Sequence, residues 1–504
     1  MQLRGVYLPF SDKLDIGANR ELHALTRRLL TAPLAGVTDI IPGYTNLYIE
    51  FDANCLSEEK VLEWTDSHRQ NLTGEAGNKT VEIPTHFDGE DLPQVAEKTG
   101  LTKAEVIDRF TRPTYHVYAV GFTPGFPFMG EVDEALHLPR RDTPRPNIPP
   151  NTVAMANAQA GIYPLTTPGG WHLLGTSLKP LYDPSREKAL LLEPGDSVKF
   201  TVSDKKPKRK AVKGIELLPE SPKLPLLKVL KPGLMDIVVD AGRFLVGRFG
   251  FARGGALDAP LARLANNLLG NPADAPLLEM TLTGSSFEVL RPGILAVTGW
   301  ALTPVLNGVG LEPFTSFAVK QGDTLSFEPQ LTGSRSYLAV ADGIASDTFR
   351  GSASVDVRSK LGRALEAGNV VGVARERQAL AGRRFVPYLR EEEVVTLRLL
   401  DGPQANPDAL AALTQNTFSV GRADRMGIYF EGASVPGGDV LSEATPLGAV
   451  QITSSGSPLL LLHDRGTLGG YSKPAVLHPA DLAKAAQLRL GQVVKFRRLA
   501  EASG

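Results

Sequence analysis

The run LGGYSK at 468–473 places a lysine directly after a Gly-Gly turn and an aromatic residue. Glycine adopts conformations closed to other residues, so such a turn can present a side chain at a defined point. The ammonium of Lys473 can serve there as a point cation toward a phosphate or a carboxylate. His463 and Asp464, a few residues earlier, could orient or polarise it. We predict that Lys473 and Asp464 are catalytic; a solvated surface lysine and a structural His463 are the alternatives.

Three further charged residues lie in the same half of the chain. Arg425 in ADRMG could bind a carboxylate with two parallel hydrogen bonds, or pair with Asp424 or a neighbour instead. Asp258 precedes the helical run APLARLANNLLG, so capping of that helix competes with substrate binding. Glu279 stands inside an apolar run, where a charge needs a partner or a task. We predict that Glu279 is catalytic and that Arg425 and Asp258 bind substrate.

The first half of the chain offers a second set of candidates. His172 follows Trp171 in PGGWH and could transfer protons near neutral pH, although a hydrogen-bonded structural histidine fits equally well. Arg145 in TPRP is a candidate clamp for a substrate carboxylate. Phe126, Tyr163 and Trp171 are predicted to line the wall of a binding pocket, with core packing as the alternative.

Several chemistries are excluded by what the sequence lacks. It has no Walker A motif, no HEXXH or HXH metal motif, no GxSxG elbow and no biotin-attachment site. Lys and Arg number 54 against 55 Asp and Glu, so no net field favours nucleic acid or an anionic membrane. The single cysteine, Cys55, excludes an intrachain disulfide and is expected to be a buried or half-buried inert thiol. Without a signal peptide or an 18-residue apolar stretch, a cytoplasmic protein is expected.

Regular elements that could position these residues are indicated by periodicity. Helical spacing at 18–32 and 57–72 alternates with strand patterns at 43–52 and 81–87, which predicts a small α+β domain. Ser57 is the predicted N-cap of the second helix. Short helices follow at 91–98 and 102–111, the second with Thr102 and Glu105 in capping-box positions. Beyond them the apolar period falls to two and turns multiply.

Repeated signatures predict duplicated β-barrels. The segments LLEPGDSVKF (191–200), AVKQGDTLSF (318–327) and LRLGQVVKF (488–496) each place a glycine and a polar residue before an alternating strand. A longer echo matches VAMAN and PGGW, which start at 153 and 168, to VQITS and LGGY, which start at 450 and 468. Gln451 and Tyr471 belong to that echo and are predicted to bind substrate.

The predicted fold class is mainly β with α+β: a small α+β domain followed by β-barrels, one in the front half and two in the back half. A charged, proline-rich segment marks a linker between the halves. The predicted units are an α+β domain at 1–83, a barrel at 84–202, the linker at 203–226, and barrels at 227–395 and 396–504. Because both halves carry rigid Gly-Gly-aromatic loops, we expect the reaction site between them.

These motifs resemble a known pair of bacterial domains. The front half is similar to the small-subunit-type allophanate hydrolase domain, which also occurs in a sporulation-kinase inhibitor, through GFTPGFPFMG (121–130), TPRPNIPPNTV (143–153) and IYPLTTPGGWHLLG (162–175). The back half resembles the large-subunit-type, biotin-carboxylase-associated domain. Its motifs are a long run at 254–284, ADRMGIYFEG (423–432) and a run at 462–488 that contains Lys473. The match covers the whole chain except the linker.

The resemblance implies a fused counterpart of the B and C subunits of 5-oxoprolinase, with cyclophilin-like barrels. Such proteins open the lactam of 5-oxoproline to glutamate with ATP and a separate A-type partner. It therefore implies ATP with Mg²⁺, bound jointly with that partner, and a small lactam or amide substrate. Neither nucleic acid nor a membrane is an expected partner, and pairing of halves between two chains would give a homo-oligomer.

Two other functions stay open. Related domains in urea carboxylase imply a urea- or allophanate-type carboxyltransferase-like unit, which would depend on a biotinylated protein. A kinase-binding regulatory protein is the alternative from a different class, because barrels can act as binding modules without chemistry.

Overall fold

The computed structural model describes residues 1–70, 72, 79–207, 210–330, 332–375, 379–387 and 392–499. It is mainly β, with a closed seven-stranded barrel in the front half and a second one at the end of the chain. This confirms the predicted fold class. No helix in the described ranges is long and apolar enough to cross a membrane.

The chain begins with a three-stranded antiparallel sheet in the order β1-β3-β2, covered by helices. Leu22, Leu25 and Leu29 are fully buried against this sheet, as the helical spacing predicts. Ser57 Oγ accepts a hydrogen bond from Lys60 N at 3.4 Å and caps the second helix. The elements are β1 (Leu3–Pro9), α1 (Ile16–Thr31), β2 (Val37–Pro42), β3 (Asn46–Asp52) and α2 (Glu58–Ser67).

The next unit is a closed barrel in the order β11-β4-β12-β5-β6-β9-β8, with a separate β7-β10 ribbon. β4 pairs with β11 and β12, so residues 80–83, assigned above to the α+β domain, belong to the barrel. Its elements are β4 (Thr80–His86), α3 (Leu92–Thr99), α4 (Lys103–Thr111), β5 (Tyr115–Val120), β6 (Pro127–Gly130), a 3-10 turn (Glu134–Leu136), β7 (Arg145–Ile148), β8 (Thr152–Ala156), β9 (Gln159–Tyr163), β10 (Thr167–Gly169), β11 (His172–Ser177) and β12 (Ser197–Val202).

The first unit of the back half differs from a closed barrel. It consists of a six-stranded and a five-stranded sheet around one apolar core. Its elements are β13 (Pro225–Lys231), β14 (Asp236–Val239), a 3-10 turn (Gly247–Phe249), α5 (Ala259–Leu269), β15 (Leu277–Thr281), β16 (Ser286–Val289), β17 (Gly293–Gly299), β18 (Leu302–Leu306), β19 (Val309–Gly310), β20 (Thr315–Val319), β21 (Thr324–Pro329), β22 (Arg335–Val340) and β23 (Val370–Gly372).

The last unit is a closed barrel in the order β24-β31-β28-β29-β26-β25-β32, with a separate β27-β30 ribbon. Its elements are β24 (Val394–Asp401), α6 (Pro407–Gln415), β25 (Thr417–Ala423), β26 (Gly427–Gly432), β27 (Asp439–Ala444), β28 (Ala449–Ile452), β29 (Pro458–Leu461), β30 (Leu468–Tyr471), β31 (Ala475–Leu477), a 3-10 turn (Pro479–Asp481), α7 (Leu482–Ala486) and β32 (Val493–Arg498).

The two barrels have the same strand order. Starting from β4 and β24, each continues through its last strand, which is parallel to the first, and then through five antiparallel neighbours. The longer sequence echo lies on equivalent strands, β8 and β28, and on the equivalent ribbons. The sequence repeat therefore reflects duplicated topology.

Two sequence expectations change once the chain is folded. The predicted linker packs against the body of the protein: Leu217 is only 1% exposed, and Ile215 pairs with Leu361. Apolar side chains of this charged segment pack into a hydrophobic cluster that both halves form, so the segment is not a free tether. Cys55, expected to be at least half-buried, is exposed because it follows the end of β3 in a surface turn.

Candidate functional site: the junction of the two halves

The shape of the candidate site comes from direct docking of the front half onto the C-terminal barrel. Tyr7 Oη donates to Ala444 O at 2.7 Å, and Asn46 Nδ2 donates to Glu443 Oε2 at 2.8 Å. Gly121 faces Leu468 so closely that a Cβ on the glycine would lie less than 3.0 Å from the leucine side chain. The glycine-containing loop after β5 of the front half therefore contacts β30 of the back half, whose Gly-Gly pair lies in a strand.

A cavity of about 210 Å³ opens at this junction, and we call it the junction cavity. Front half, linker and back half all contribute to its wall. Its lining residues are Phe122, Thr123, Pro124, Leu165, Thr166, Thr167, Pro168, Ala211, Val212, Gly250, Ala252, Asp356, Val357, Arg358, Ser359, Lys360, Asp464 and Arg465. Of the residues predicted from sequence, Asp464 is in this wall.

The predicted aromatic residues lie beside the cavity in a buried cluster. Phe126 packs edge-on against Tyr163 and Trp171, with ring centroids 5.1 and 5.6 Å apart. The same cluster includes Ala444 and Leu468 from the back half. The three aromatic side chains are at most 5% exposed, so the structure favours core packing, and they support the junction from behind.

Lys473 is fully buried and faces a carboxylate. Its Nζ lies 2.9 Å from Glu443 Oε1 and donates to Tyr471 O at 3.2 Å. Gln404 Nε2 donates to the same Glu443 oxygen at 2.6 Å. Burial lowers the pKa of Lys473, and Glu443 opposes that effect. The ammonium thus ties β27 to β30 and, through Glu443, to Asn46 of the front half.

Arg425, Glu279 and Asp464 form one buried ion-pair network. Arg425 Nε lies 2.8 Å from Asp464 Oδ2, and its Nη1 donates to Glu279 Oε1. Its Nη2 also donates to Gly255 O at 2.7 Å. Burial alone would raise the pKa of Glu279, but the guanidinium of Arg425 holds that pKa below its ordinary value. The network joins the sheets of the first back-half unit to the last barrel.

Asp258 extends this network and also caps α5. Its Oδ1 accepts from Leu261 N at 3.2 Å, and its Oδ2 accepts from Gln487 Nε2 at 2.9 Å. Tyr337 Oη accepts from Asp258 N and donates to Glu279 Oε2, both at 2.8 Å. Burial raises the pKa of Asp258 to about 6. The helix-capping alternative is thus realised, and Asp258 lies outside the junction cavity wall.

Arg145 and His172 are bound within the front half. Arg145 Nη2 donates to Asp91 Oδ1 at 2.7 Å, and its Nε lies 2.6 Å from Glu90 Oε1. The Nε2 of His172 is 2.9 Å from Pro139 O, and the ring is 2% exposed. Both residues hold the β7-β10 ribbon and its flanking loop in place.

Gln451 and Tyr471 lie at the C-terminal ribbon. Gln451 Nε2 is buried and has no hydrogen-bond partner among the described residues, and it sits against Gly469. Tyr471 contributes its carbonyl to the Lys473 ammonium, as described above. Neither residue is in the wall of the junction cavity.

Four residues of the cavity wall whose charged or hydroxyl groups lack a strong partner were not predicted from the sequence. Arg358 and Lys360 are exposed cations in its wall, and Thr123 and Thr167 contribute buried hydroxyls. The turn-forming run DVRSKLG at 356–362 was the available signal, since cations on a tight turn are presented at fixed points. Glu443 gave no local signal because its partners lie far away in sequence.

Family models match both halves of the chain. Residues 1–192 match the carboxyltransferase domain, subdomains C and D, and residues 249–498 match the carboxyltransferase domain, subdomains A and B. The chain therefore belongs to the carboxyltransferase-domain family. Within that family it is a fused B–C protein, in which counterparts of the B and C subunits of 5-oxoprolinase share one chain.

Individual relatives support this assignment. The front half is 34% identical to the 5-oxoprolinase B subunit of Escherichia coli O157:H7 over 202 residues, 39% of this chain and 90% of the relative. The back half is 31% identical to the 5-oxoprolinase C subunit of Escherichia coli K12 over 284 residues, 54% of this chain and 90% of the relative. The crystal structure of TTHA0988 is 48% identical with a TM-score of 0.93, covering 98% of this chain and all of that one.

A more distant likeness extends to urea-processing enzymes. The urea amidolyase of Saccharomyces cerevisiae is 26% identical over 301 residues, 54% of this chain but only 16% of that enzyme. The relatives named as 5-oxoprolinase and urea amidolyase components are enzymes or parts of enzymes, which supports an enzymatic role.

Proposed function

We propose that this chain supplies the B and C components of an ATP-dependent 5-oxoprolinase. Together with a separate A-type partner, it would open the lactam of 5-oxoproline to glutamate as ATP is hydrolysed. The chain is then an amidohydrolase component acting on a cyclic amide. Of the residues predicted from sequence, Asp464 lies in the wall of the proposed site. The ion pair of Lys473 with Glu443 would hold the C-terminal ribbon against the front half beside this site.

The observation that carries this proposal is the junction cavity, whose wall comes from both halves. A reaction centre shared by the B and C counterparts explains why the two are joined in one chain. At about 210 Å³, the cavity is below the range of roughly 300–1,000 Å³ typical of drug-sized ligands. It suits a small lactam better than a whole nucleotide.

The cavity residues fit part of the chemistry that ATP requires. Arg358 and Lys360 and the hydroxyls of Thr123 and Thr167 would hold anionic oxygens, which develop when a carbonyl oxygen is phosphorylated. Within the described ranges, no group of three His, Cys, Asp or Glu side chains could hold a metal ion. Mg²⁺ would therefore arrive with the phosphates of ATP, and the A-type partner would complete the nucleotide site.

The test mixes the chain with its A-type partner, ATP, Mg²⁺ and 5-oxoproline, and follows glutamate and ADP together. Coupled formation that needs both proteins is the expected result. Full turnover by the chain alone would contradict the partner requirement. ADP without glutamate would point to another amide substrate, and no turnover with both proteins folded would overturn the proposal in favour of a kinase-binding regulator.

Lys473→Met tests the proposed role of the buried ammonium. We expect glutamate formation to fall, because Glu443, which also binds Asn46, loses its buried ammonium partner and the two ribbon strands lose the charge that joins them. Lys231→Met changes an exposed lysine on β13 and serves as the control. Thermal unfolding of both variants separates loss of activity from loss of folding, and unchanged turnover in Lys473→Met would remove this residue from the mechanism.

The likeness to urea amidolyases favours a second candidate, a carboxyltransferase-like unit for urea or a related amide. That activity would depend on a biotinylated protein, because the chain lacks an attachment site of its own. Urea-dependent turnover that is abolished by avidin would support it, and turnover of 5-oxoproline that is unaffected by avidin would exclude it.

A further inference from the structure

A rigid hairpin forms one wall of the junction cavity. Asp356 and Leu361 exchange backbone hydrogen bonds of 2.8 and 2.9 Å. The Asp356 carboxylate accepts from Ser359 N at 3.0 Å and from Ser359 Oγ at 2.5 Å. Tyr182 Oη of the front half donates to Ser359 O at 2.6 Å. The turn is therefore held from inside and from across the junction.

This hairpin contributes two cationic residues to the cavity wall. Arg358 and Lys360 are exposed, and in the described part of the chain neither lies within ion-pair distance of a carboxylate. Arg358 Nη1 makes a single long hydrogen bond of 3.4 Å, to Asp464 O. Lys360 has a left-handed backbone with φ of 60°, a conformation that costs energy for a residue with a side chain. A lysine stands where glycine would be less strained.

The carboxylates in the cavity wall are already occupied. Asp356 accepts both hydrogen bonds from Ser359 within the hairpin, and Asp464 accepts two from Arg425. Arg465, the third cation in the wall, lies 3.6 Å from Glu50 and donates to Thr445 O at 2.7 Å. Arg358 and Lys360 are thus the cationic residues of the wall that have no ion-pair partner among the described residues.

Two threonines of the front half, each with a buried hydroxyl, belong to the same cavity wall. Thr123 and Thr167 are 5% and 6% exposed, and their Oγ1 atoms have no hydrogen-bond partner among the described residues. A buried hydroxyl without a partner costs free energy that a ligand can recover. Two hydroxyl donors and two cations suit a ligand with several negatively charged oxygens.

From these observations we infer that Arg358, Lys360, Thr123 and Thr167 form an anion subsite in the junction cavity, which binds a carboxylate or a phosphoryl group. This deepens the proposed function and rests on it for the identity of the ligand. The carboxylate of 5-oxoproline and the phosphoryl group derived from ATP are the two sources. The cations determine specificity by binding this group and leave the lactam free for reaction.

Binding measurements on the full chain distinguish the sources. Calorimetry with 5-oxoproline, with 2-pyrrolidinone (the same lactam without its carboxylate) and with orthophosphate is done on wild type, Arg358→Gln and Lys360→Gln. Lys231→Gln is the matched control. Each charge-assisted hydrogen bond contributes enough that its loss weakens binding by about tenfold or more.

We expect 5-oxoproline to bind at least about tenfold more weakly to each cavity variant, while 2-pyrrolidinone and the control are unchanged. Weakened binding of orthophosphate alone would support the same subsite with the phosphoryl group as its ligand. If wild type binds orthophosphate through Arg358 but does not bind 5-oxoproline, the proposed substrate fails and the subsite stands. Equal affinities in all variants for both anions, or no binding of either anion by wild type, would overturn the inference.

Discussion

At the residue scale, Arg425 is distinguished by holding two carboxylates in the protein interior. Glu279 is inaccessible to solvent, and Asp464 is 9% exposed at the cavity wall. Without the guanidinium, Asp464 loses its charged partner, and among the described residues Glu279 keeps only Arg335 Nε, at 3.8 Å, as a charged partner. Removal of one partner of a buried ion pair is strongly destabilising because it leaves charge buried with too little compensation. The sequence marks these residues as candidates for chemistry, and their contacts give them a structural role as well.

Arg425→Met should therefore destabilise the protein by about 3–5 kcal/mol. The control is Arg422→Met, since Arg422 is exposed and lies over the Tyr429 ring at 4.0 Å, a contact contributing about 0.5–1 kcal/mol. Urea denaturation gives both free energies of unfolding. Similar losses in the two variants would mean that the buried network adds little stability.

A second residue-scale prediction concerns pH. Asp39 is buried, and burial followed by the nearby Glu50 raises its pKa from 3.8 to about 7. The native state then holds a proton that the unfolded state releases, so stability is greatest below about pH 4 for this group and is lost as the pH rises to about 7. The contribution is on the order of 4 kcal/mol.

Asp39→Asn should remove that dependence. Relative to the wild type, the variant should gain on the order of 4 kcal/mol in free energy of unfolding between pH 4 and pH 8. Asp12→Asn, at an exposed carboxylate of the same domain, provides the comparison. Parallel stability curves for the wild type and Asp39→Asn would show that this carboxyl has an ordinary pKa.

At the element scale, the turn after β24 supports the segment between β30 and β31 that carries Lys473. Gly402 N donates to Pro474 O at 2.9 Å, and Gln404 N donates to Lys473 O at 3.3 Å. A Cβ on Gly402 would lie less than 3.0 Å from Lys473 O, which is backbone and cannot move aside cheaply. The absence of a side chain at 402 is thus what lets the two segments approach.

Gly402→Ala should lower the free energy of unfolding by about 1–3 kcal/mol through overpacking. Gly310→Ala is the matched change, because nothing lies within 4 Å of the added atom there. Chemical denaturation of both variants tests the difference. An equally mild effect at both positions would show that the turn and the segment that carries Lys473 separate readily.

At the scale of the whole molecule, Glu50 joins the front half to the back half by charge. Its carboxylate lies 2.9 Å from Arg253 Nη1 and 3.6 Å from Arg465 Nη2, and it also accepts from Thr38 Oγ1 at 2.8 Å. All three charged groups are buried. The junction cavity depends on this docking, because Arg465 is in the cavity wall.

Glu50→Gln should weaken the docking by about 3 kcal/mol, since two buried guanidinium groups lose their shared carboxylate. We expect an earlier thermal transition and faster proteolysis between the halves. Glu63→Gln changes an exposed carboxylate of the same domain and should leave both unchanged. A variant with wild-type unfolding and proteolysis would show that apolar contacts alone hold the halves together.

Local sequence was sufficient to predict the caps and the duplication. Ser57 caps α2, and Thr102 and Glu105 exchange the two hydrogen bonds of a capping box, because a cap depends on residues within one turn. Of the three segments with the Gly-polar-strand signature, two lead into the equivalent barrel strands β12 and β32, whereas the third leads into β21 of the packed sheets. Strand periodicity did not distinguish a closed barrel from two packed sheets in the first back-half unit, since both alternate with a period of two.

Which charges are paired and which remain open depends instead on how the chain folds. Arg425 contacts Glu279 although 146 sequence positions separate them. Lys473 contacts Glu443 on β27, because β27 pairs with β30, the strand just before the lysine. The run at 356–362 that holds Arg358 and Lys360 indicates a turn, but the sequence does not show that this turn lines a cavity between the halves. Local rules describe neighbours along the chain, whereas partnership between buried charges is set by distance in space and by the desolvation that packing imposes.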